Sequence, residues 1–374
     1  MFRITTLSRC TLAALCLAGA AASRAQDADA QQVVVTGSIV ERALRDAPYA
    51  ISIVDADALR GAGPMINLSE AMARVPGLVV ANRNNYAQDL QISSRGFGAR
   101  AGFGVRGVRL YTDGIPASMP DGQGQVSHFD LAGAQRIEVL RGPFSVLYGN
   151  SSGGVIASHG APVRTGRFEA GLDVGDFGLR QWRVGAAVPL GGGLEASGNV
   201  SGMDWAGFRP HSAATKTSAS GRLAWQGERD RVVVLLSVLD QPADDPLGLR
   251  RADFDADPYQ TAPEATQYDT RKTLSQQQIG ARWTHRFASA GPLADSAFTL
   301  YRGERSVMQW LAIAAGTQGN PRHGGGVIDF DRTYDGLDAR LSWRLGGVAL
   351  VTGAAVERQS DARRGYLNYT GPSS

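Results

Sequence analysis

Cysteine is almost missing from these 374 residues, and the two present, Cys10 and Cys16, both lie in one apolar run near the N-terminus. That run, residues 10–22, is too short and too alanine-rich to span a bilayer, which takes about 20 apolar residues as a helix. Arg3 and Arg9 precede it, and Ser23-Arg24-Ala25 follows with small residues at both cleavage-determining positions. Residues 1–25 therefore read as a secretory signal with cleavage before Gln26. Both cysteines leave with it, which excludes disulfides and thiol chemistry from the exported chain. Lysine is scarce, and three of the arginines behind the formal net charge of +3 (Arg3, Arg9 and Arg24) sit in that leader. The remainder is near neutral, so nothing in the charge points to nucleic acid.

Two catalytic-looking motifs lack the context their chemistry needs. Gly149-Asn150-Ser151-Ser152-Gly153 fits G-x-S-x-G, but a nucleophile elbow requires a helix after the serine. Here Gly154-Val155-Ile156 follows, a strand opening. A soluble exported serine hydrolase acting through Ser151 is thus the least supported alternative. Gly102 to Gly107 fits G-x-G-x-x-G, but residues 108–113 (V-R-L-Y-T-D) alternate like a strand where a dinucleotide site needs a helix N-terminus. What remains is a basic loop carrying Arg95, Arg100, Arg106 and Arg109. No catalytic residue, metal ligand or cofactor is assigned.

What is present begins with residues 136–156, R-I-E-V-L-R-G-P-F-S-V-L-Y-G-N-S-S-G-G-V-I. Alternation over 136–141, a Gly142-Pro143 break, a turn at Leu147-Tyr148-Gly149 and a second strand from Gly153 give a strand–turn–strand unit. Upstream, residues 51–54 form a short strand. Asp55-Ala56-Asp57 offers an N-cap for a helix through Arg60. Asn67-Leu68-Ser69-Glu70 opens another helix, with Leu68, Met72 and Val75 on one face and Pro76-Gly77 at its end. Residues 78–80 return as a strand. Short strands interleaved with short helices make a small α+β globule.

From Arg167 the period becomes two. Phe168, Ala170, Leu172 and Val174 alternate with Arg167, Glu169 and Asp173, and similar runs recur to about residue 358, for about nine strands. A soluble sandwich would also alternate. The connections decide between them: short ones near 191–193, 227–230, 289–293 and 346–347 take turns with long polar ones near 205–216, 241–275 and 306–331. The brief 176–179 turn is the one departure. Short turns on one rim and long loops on the other are the habit of a transmembrane β-barrel. Trp182, Trp225, Trp283 and Trp343, all in the apolar set, fit aromatic girdles.

The strings I-E-V-L-R-G-P-F-S-V-L-Y-G-N-S-S-G-G-V-I (137–156) and N-L-S-E-A-M-A-R-V-P-G-L-V-V (67–80) resemble the plug domain of TonB-dependent outer-membrane receptors, over about residues 31–160. The resemblance implies residues 26–48 as an N-terminal segment, 49–165 as an α+β plug domain and 166–374 as antiparallel transmembrane β-barrel strands. It implies active uptake of a ferric chelate, siderophore or ferric citrate, through the outer membrane of a Gram-negative bacterium. The partners implied are TonB with its inner-membrane energising complex, the chelate and outer-membrane lipid.

In such receptors an extended box near the mature N-terminus adds a strand to TonB. Val33, Val34, Val35 and Thr36 are the candidates, and residues 26–32 leave no room for a further signalling domain. The loop at 115–128 resembles the plug apex of the ferric-citrate branch, with Arg100, Arg106, Gln123 and Gln125 as candidate ligand-binding residues. Arg95 and Arg141 match arginines that lock the plug through barrel-wall glutamates. Nine strands fall short of the family's about 22, so those glutamates are expected beyond Ser374, the plug is expected to be poorly locked, and the chain reads as truncated. A receptor remnant whose plug folds alone is the other alternative.

Overall fold

The computed structural model describes residues 34–35, 42–43, 50–102, 104–124, 129–142, 145–149, 151–288 and 291–368. The chain divides into two units, residues 1–48 and 49–374. In the first, β1 (Val34–Val35) pairs antiparallel with β2 (Arg42–Ala43). Val33, Thr36 and the leader lie outside the described residues.

The second unit opens with β3 (Ala50–Asp55) and α1 (Ala56–Arg60), and the Asp55 carboxylate accepts from the Ala58 amide at 2.8 Å as the expected N-cap. α2 (Ser69–Met72) is a single turn. Glu70 ties off its approach, accepting from the amides of Met65, Ile66 and Asn67. β4 (Leu78–Ala81) and β5 (Gln91–Ser94) pair with each other. β6 (Val108–Thr112), β7 (Ile115–Pro116), β8 (Ala134–Arg141) and β9 (Gly154–Gly160) join β3 in a five-stranded sheet of order β3-β8-β9-β6-β7, parallel only between β6 and β9. Asp113 and Gly114 both take positive φ (46° and 80°) between β6 and β7, a two-residue turn whose twist suits a hairpin. Leu147 and Tyr148, read from sequence as a turn with Gly149, end one turn of helix, α3 (Ser145–Tyr148).

Apolar side chains from one face of this sheet, from β4 and β5, and from α1, α2 and their flanks make the core, including Leu68, Met72, Ile92, Leu110, Ile137 and Ile156. Each is at most 1 % exposed, and each stabilises the plug by roughly 1.5–3 kcal/mol relative to exposure. Leu68, Met72 and Val75 bury together, as their spacing requires.

Nine strands follow: β10 (Arg167–Gly175), β11 (Leu179–Gly191), β12 (Leu194–Trp205), β13 (Ala214–Gln226), β14 (Asp230–Asp244), β15 (Arg271–Arg286), β16 (Leu293–Trp310), β17 (Val327–Leu345) and β18 (Val348–Tyr366). They pair in sequence order, all antiparallel. Short helices α4 (Arg251–Ala256), α5 (Pro263–Gln267) and α6 (Ala315–Gln318) lie in the long connections. Alternate side chains turn toward the plug or away from it. Those facing away form an apolar band that includes Leu172, Trp182, Leu223, Leu236, Ile279, Leu300, Leu337 and Val356, all substantially exposed. Those facing the plug are largely polar. Among the described residues no helix is long and apolar enough to cross a membrane.

β16, β17 and β18 run longer than alternation alone indicates. On β18 the apolar outward set ends at Val356, while the strand continues to Tyr366. From Val348 to Val356 is roughly 26 Å along the strand, against an apolar band about 25 Å tall in membrane barrels. Beyond it the outward positions turn polar (Arg358, Ser360, Arg302, Glu304), so the apolar signal stops while pairing continues. Trp225, Trp283 and Trp343 gather at the short-turn rim. Their indole N–H groups donate to Gly192 O, Asp230 Oδ1 and Thr352 Oγ1, at 3.1, 2.8 and 2.9 Å. An apolar ring with one polar atom suits the edge of a bilayer.

Candidate functional site

The loop between β7 and β8 meets the wall at its long-loop end. Arg106, exposed, reaches Asp121 (Nη2 to Oδ2, 3.4 Å). Asp121 also lies 3.6 Å from Arg332 of β17. Arg332 donates to Gln123 Oε1 at 3.4 Å and is held by Asp361 of β18 at 2.7 and 2.8 Å. Arg106 and Gln123 are thus brought into one cluster, and Arg332 is a member that the spacing of motifs did not indicate. Arg100 is exposed, apart from this cluster in every hydrogen bond and ion pair of the described residues. Gln125 lies outside the described residues.

Arg109 does not belong to the basic loop. It lies on β6, 4 % exposed, and its guanidinium reaches Glu357 Oε1 on β18 at 2.5 Å. Tyr301 of β16 donates to the same oxygen at 2.6 Å. Burial works against the charged guanidinium, but Tyr111 and Glu357 outweigh it and raise its pKa. An arginine one residue into an alternating strand faces whatever that strand faces, and here that is the barrel wall.

Arg95 and Arg141 come close to each other around Gly77: a Cβ on that glycine would lie 3.8 Å from Arg95 Cγ and 3.9 Å from Arg141 Nη1. Arg95 takes a left-handed φ of 50° and donates its amide to Gly77 O at 3.0 Å. Arg141 donates to the Pro76 carbonyl and to Ser52 Oγ. Neither has a carboxylate within ion-pair distance among the described residues. Desolvation, then the like charge of Arg95, depress the pKa of Arg141.

Other plug-to-wall contacts are numerous. Asp89 pairs with Lys272 of β15 at 3.0 Å. Asp245, on the loop after β14, accepts from Asn85 (2.7 Å) and Gln88 (2.5 Å). Asp130 accepts from Asn199 at 2.9 Å and from Ser220. Sequence reasoning missed these because Lys272, Asn199 and Ser220 are lone polar residues at inward strand positions, while Asp89, Asp130 and Asp245 lie in loops that carry no pattern. The inward phase of Glu195 and Arg222 was legible, but not what they would meet.

Within the plug sheet, Glu138 is fully buried between Arg136 (2.8 Å) and His159 (3.5 Å). Burial raises its pKa, but His159 and Arg136 win and hold it at about 2. Ser151 is buried, its Oγ makes no hydrogen bond among the described residues, and β9 rather than a helix follows it. The elbow geometry is absent there. Groups of three or more potential metal ligands are likewise absent from the described residues.

Residues 43–155 match the family model of the TonB-dependent Receptor Plug Domain. A hemin receptor of Yersinia enterocolitica is 30% identical over 137 residues, which are 36% of this chain and 18% of that protein. The vitamin B12 transporter BtuB of Photobacterium profundum is 27% identical over 197 residues, 52% of this chain and 30% of that one. Among solved structures, the unliganded ferric citrate transporter FecA superposes with a TM-score of 0.65 at 20% identity, covering 85% of this chain and 48% of its own. The ferripyoverdine receptor of the Pseudomonas aeruginosa outer membrane gives 0.64 at 16% identity, covering 90% and 46%. The chain spans about half the length of these solved receptors and less than a third of the two relatives. Those proteins are receptors and transporters rather than enzymes. Residues 43–155 thus carry a plug domain like that of TonB-dependent receptors, with nine antiparallel strands laid against it, and the fold of the chain is that of the plug and part of the wall of those proteins.

Proposed function

We propose that this chain is the plug and first wall strands of an outer-membrane receptor that imports a ferric chelate at the expense of TonB-transmitted energy. One observation carries it. The nine strands turn an apolar band outward and a polar face toward a folded plug, which only a lipid-embedded wall around a plug requires. The long loops and the Arg106–Asp121–Arg332–Gln123 cluster then face the outside, and the short turns face the periplasm. Arg100, Arg106, Gln123 and Gln125 contact an anionic chelate. Arginine suits that task because its planar donors match carboxylate oxygens two at a time. Val33, Val34, Val35 and Thr36 add a strand to TonB. Arg95 and Arg141 take wall glutamates as partners in the complete receptor.

The experiment is binding of radiolabelled ferric citrate and hemin to outer-membrane fractions carrying the chain, with capture on the periplasmic domain of TonB. Saturable binding of one chelate, weakened by Arg106→Gln, and TonB capture lost on Val34→Pro are expected. Recovery of the chain as a soluble periplasmic protein would overturn the proposal.

A further inference from the structure

We propose that the Asp113–Gly114 hairpin is a latch fastening the plug to the wall, independent of Arg95 and Arg141. Asp113 Oδ2 accepts from Arg222 Nε of β13 at 2.8 Å, and its Oδ1 accepts from the Gly160 amide at 3.1 Å. Arg222 Nη1 donates onward to Glu195 Oε1 of β12 at 2.6 Å. The other oxygen of Glu195 accepts from the Val163 amide, also at 2.6 Å, so the wall grips the plug's outgoing chain as well. The ion triad is dry: the three side chains are 5, 8 and 16 % exposed for Asp113, Arg222 and Glu195.

The rest of the turn is held by β15. Arg282 Nη1 donates to Gly114 O at 3.2 Å and Gln278 Nε2 to Pro116 O at 2.9 Å. Ile115 fills the space above Gly280, where a Cβ would come within 2.6 Å of its Cγ2. A Cβ on Gly114 would meet Arg282 at 2.9 Å, and one on Gly160 would meet Arg222 at 3.0 Å, so both arginines approach over glycine.

Withdrawing the hairpin would strand a carboxylate on the plug and leave the wall's Arg222 with one acid, while two backbone carbonyls lost their donors. Buried charges separated from their partners are costly, so these contacts resist release. Arg222 is nonetheless held through only two of its three nitrogens, since Nη2 has no partner. A cavity lined by Asp113, Asp130, Ser158, Ser220 and Arg222 adjoins it, giving the guanidinium room to turn away. Every group involved lies between residues 113 and 282, so the latch needs no strand beyond this chain. It stands whether or not the cargo is a ferric chelate.

The test is protease nicking of the plug in the full chain, in outer-membrane fractions, as a function of urea. Asn tolerates positive φ, so Asp113→Asn keeps the turn and removes only the charge. It should speed nicking about tenfold or more, the consequence expected of breaking a buried ion pair. Arg222→Gln should act alike, and the double variant should be no worse than the stronger single one. Arg95→Gln and Arg141→Gln should nick at the wild-type rate. If Arg222→Gln fails to insert, Asp113→Asn alone decides. Wild-type nicking in Asp113→Asn would overturn the latch, and equal acceleration by Arg95→Gln or Arg141→Gln would overturn its independence.

Discussion

Arg109 of the plug and Glu357 of the last wall strand meet at 2.5 Å, although 248 residues separate them. Arg109 is almost fully buried and Glu357 mostly so. Replacing one partner strands the other's charge in a dry site. Glu357→Gln or Arg109→Met should each destabilise the seated plug by about 3–5 kcal/mol. Replacing both should cost less than the two single losses added together. Urea titration of plug protection from protease measures all three, and additivity would mean that the pair is not coupled.

Gly154 and Gly149 lie five residues apart in the stretch most diagnostic of the plug, yet their substitutions should differ sharply. At Gly154 φ is 123°, and a Cβ would fall 2.0 Å from the Leu140 carbonyl oxygen. That oxygen belongs to β8 and cannot yield without breaking the β8–β9 register. At Gly149 φ is 66° with nothing within 4 Å of the added atom. Gly149→Ala should cost about 1–2 kcal/mol, the ordinary left-handed penalty. Gly154→Ala should leave the plug unfolded and protease-sensitive in the same expression trial.

The pH dependence of plug stability should carry the signature of Glu138. Its folded pKa, about 2, lies below the ordinary 4.5 because His159 and Arg136 outweigh burial. A depressed carboxylate contributes stability that is fully present above its unfolded pKa and lost as pH falls through the folded one. The loss should therefore fall between about pH 4.5 and pH 2. Glu138→Gln should flatten that part of the curve and destabilise the plug at pH 7 by about 3–5 kcal/mol. Glu70 works in the opposite sense: burial outweighs its three amide donors and raises its pKa. It penalises the fold as pH rises through that value, so it cannot mimic the acid loss.

How far the fold was legible follows from the range of each signal. The Asp55 cap and the Leu68–Met72–Val75 face are local patterns, and both appear as read. Nine wall strands followed from period-two alternation, because an exposed apolar face and a polar face toward the plug place opposite chemistry on alternate residues. The ends of β16 to β18 did not follow, since beyond the apolar band that contrast fades while backbone pairing persists. Nor did the site. Arg106 and Gln123 were chosen from two neighbouring loops, but the arginine that completes their cluster, Arg332, arrives from β17 more than 200 residues later. Arg109 was grouped with loop arginines because sequence proximity says nothing of which wall a strand faces. The partners of Asp113, Asp89 and Asn85 depend on which wall strand lies against each part of the plug, for which no local pattern exists.

Asp245 offers a way to measure coupling between an outer loop and the plug. It is 3 % exposed and accepts from Asn85 Nδ2, Gln88 Nε2 and the Leu247 amide. The first two belong to the plug and the third to the loop itself, so one carboxylate fixes both segments. Asn85 in turn caps its own loop by accepting from the Ala87 amide at 3.0 Å. Removing the acceptor leaves two side-chain amide donors and one backbone donor to find water, at about 1–3 kcal/mol for each that stays dry. Asp245→Ala should therefore raise hydrogen exchange at residues 84–90 and 245–248 together. The sheet amides of β8 and β9, which make no contact with Asp245, should keep wild-type protection. Exchange rising in the loop alone would mean that Asn85 and Gln88 are held by the plug without it. A rise that spread into β8 and β9 would show the whole plug, rather than residues 84–90, to be what the loop secures.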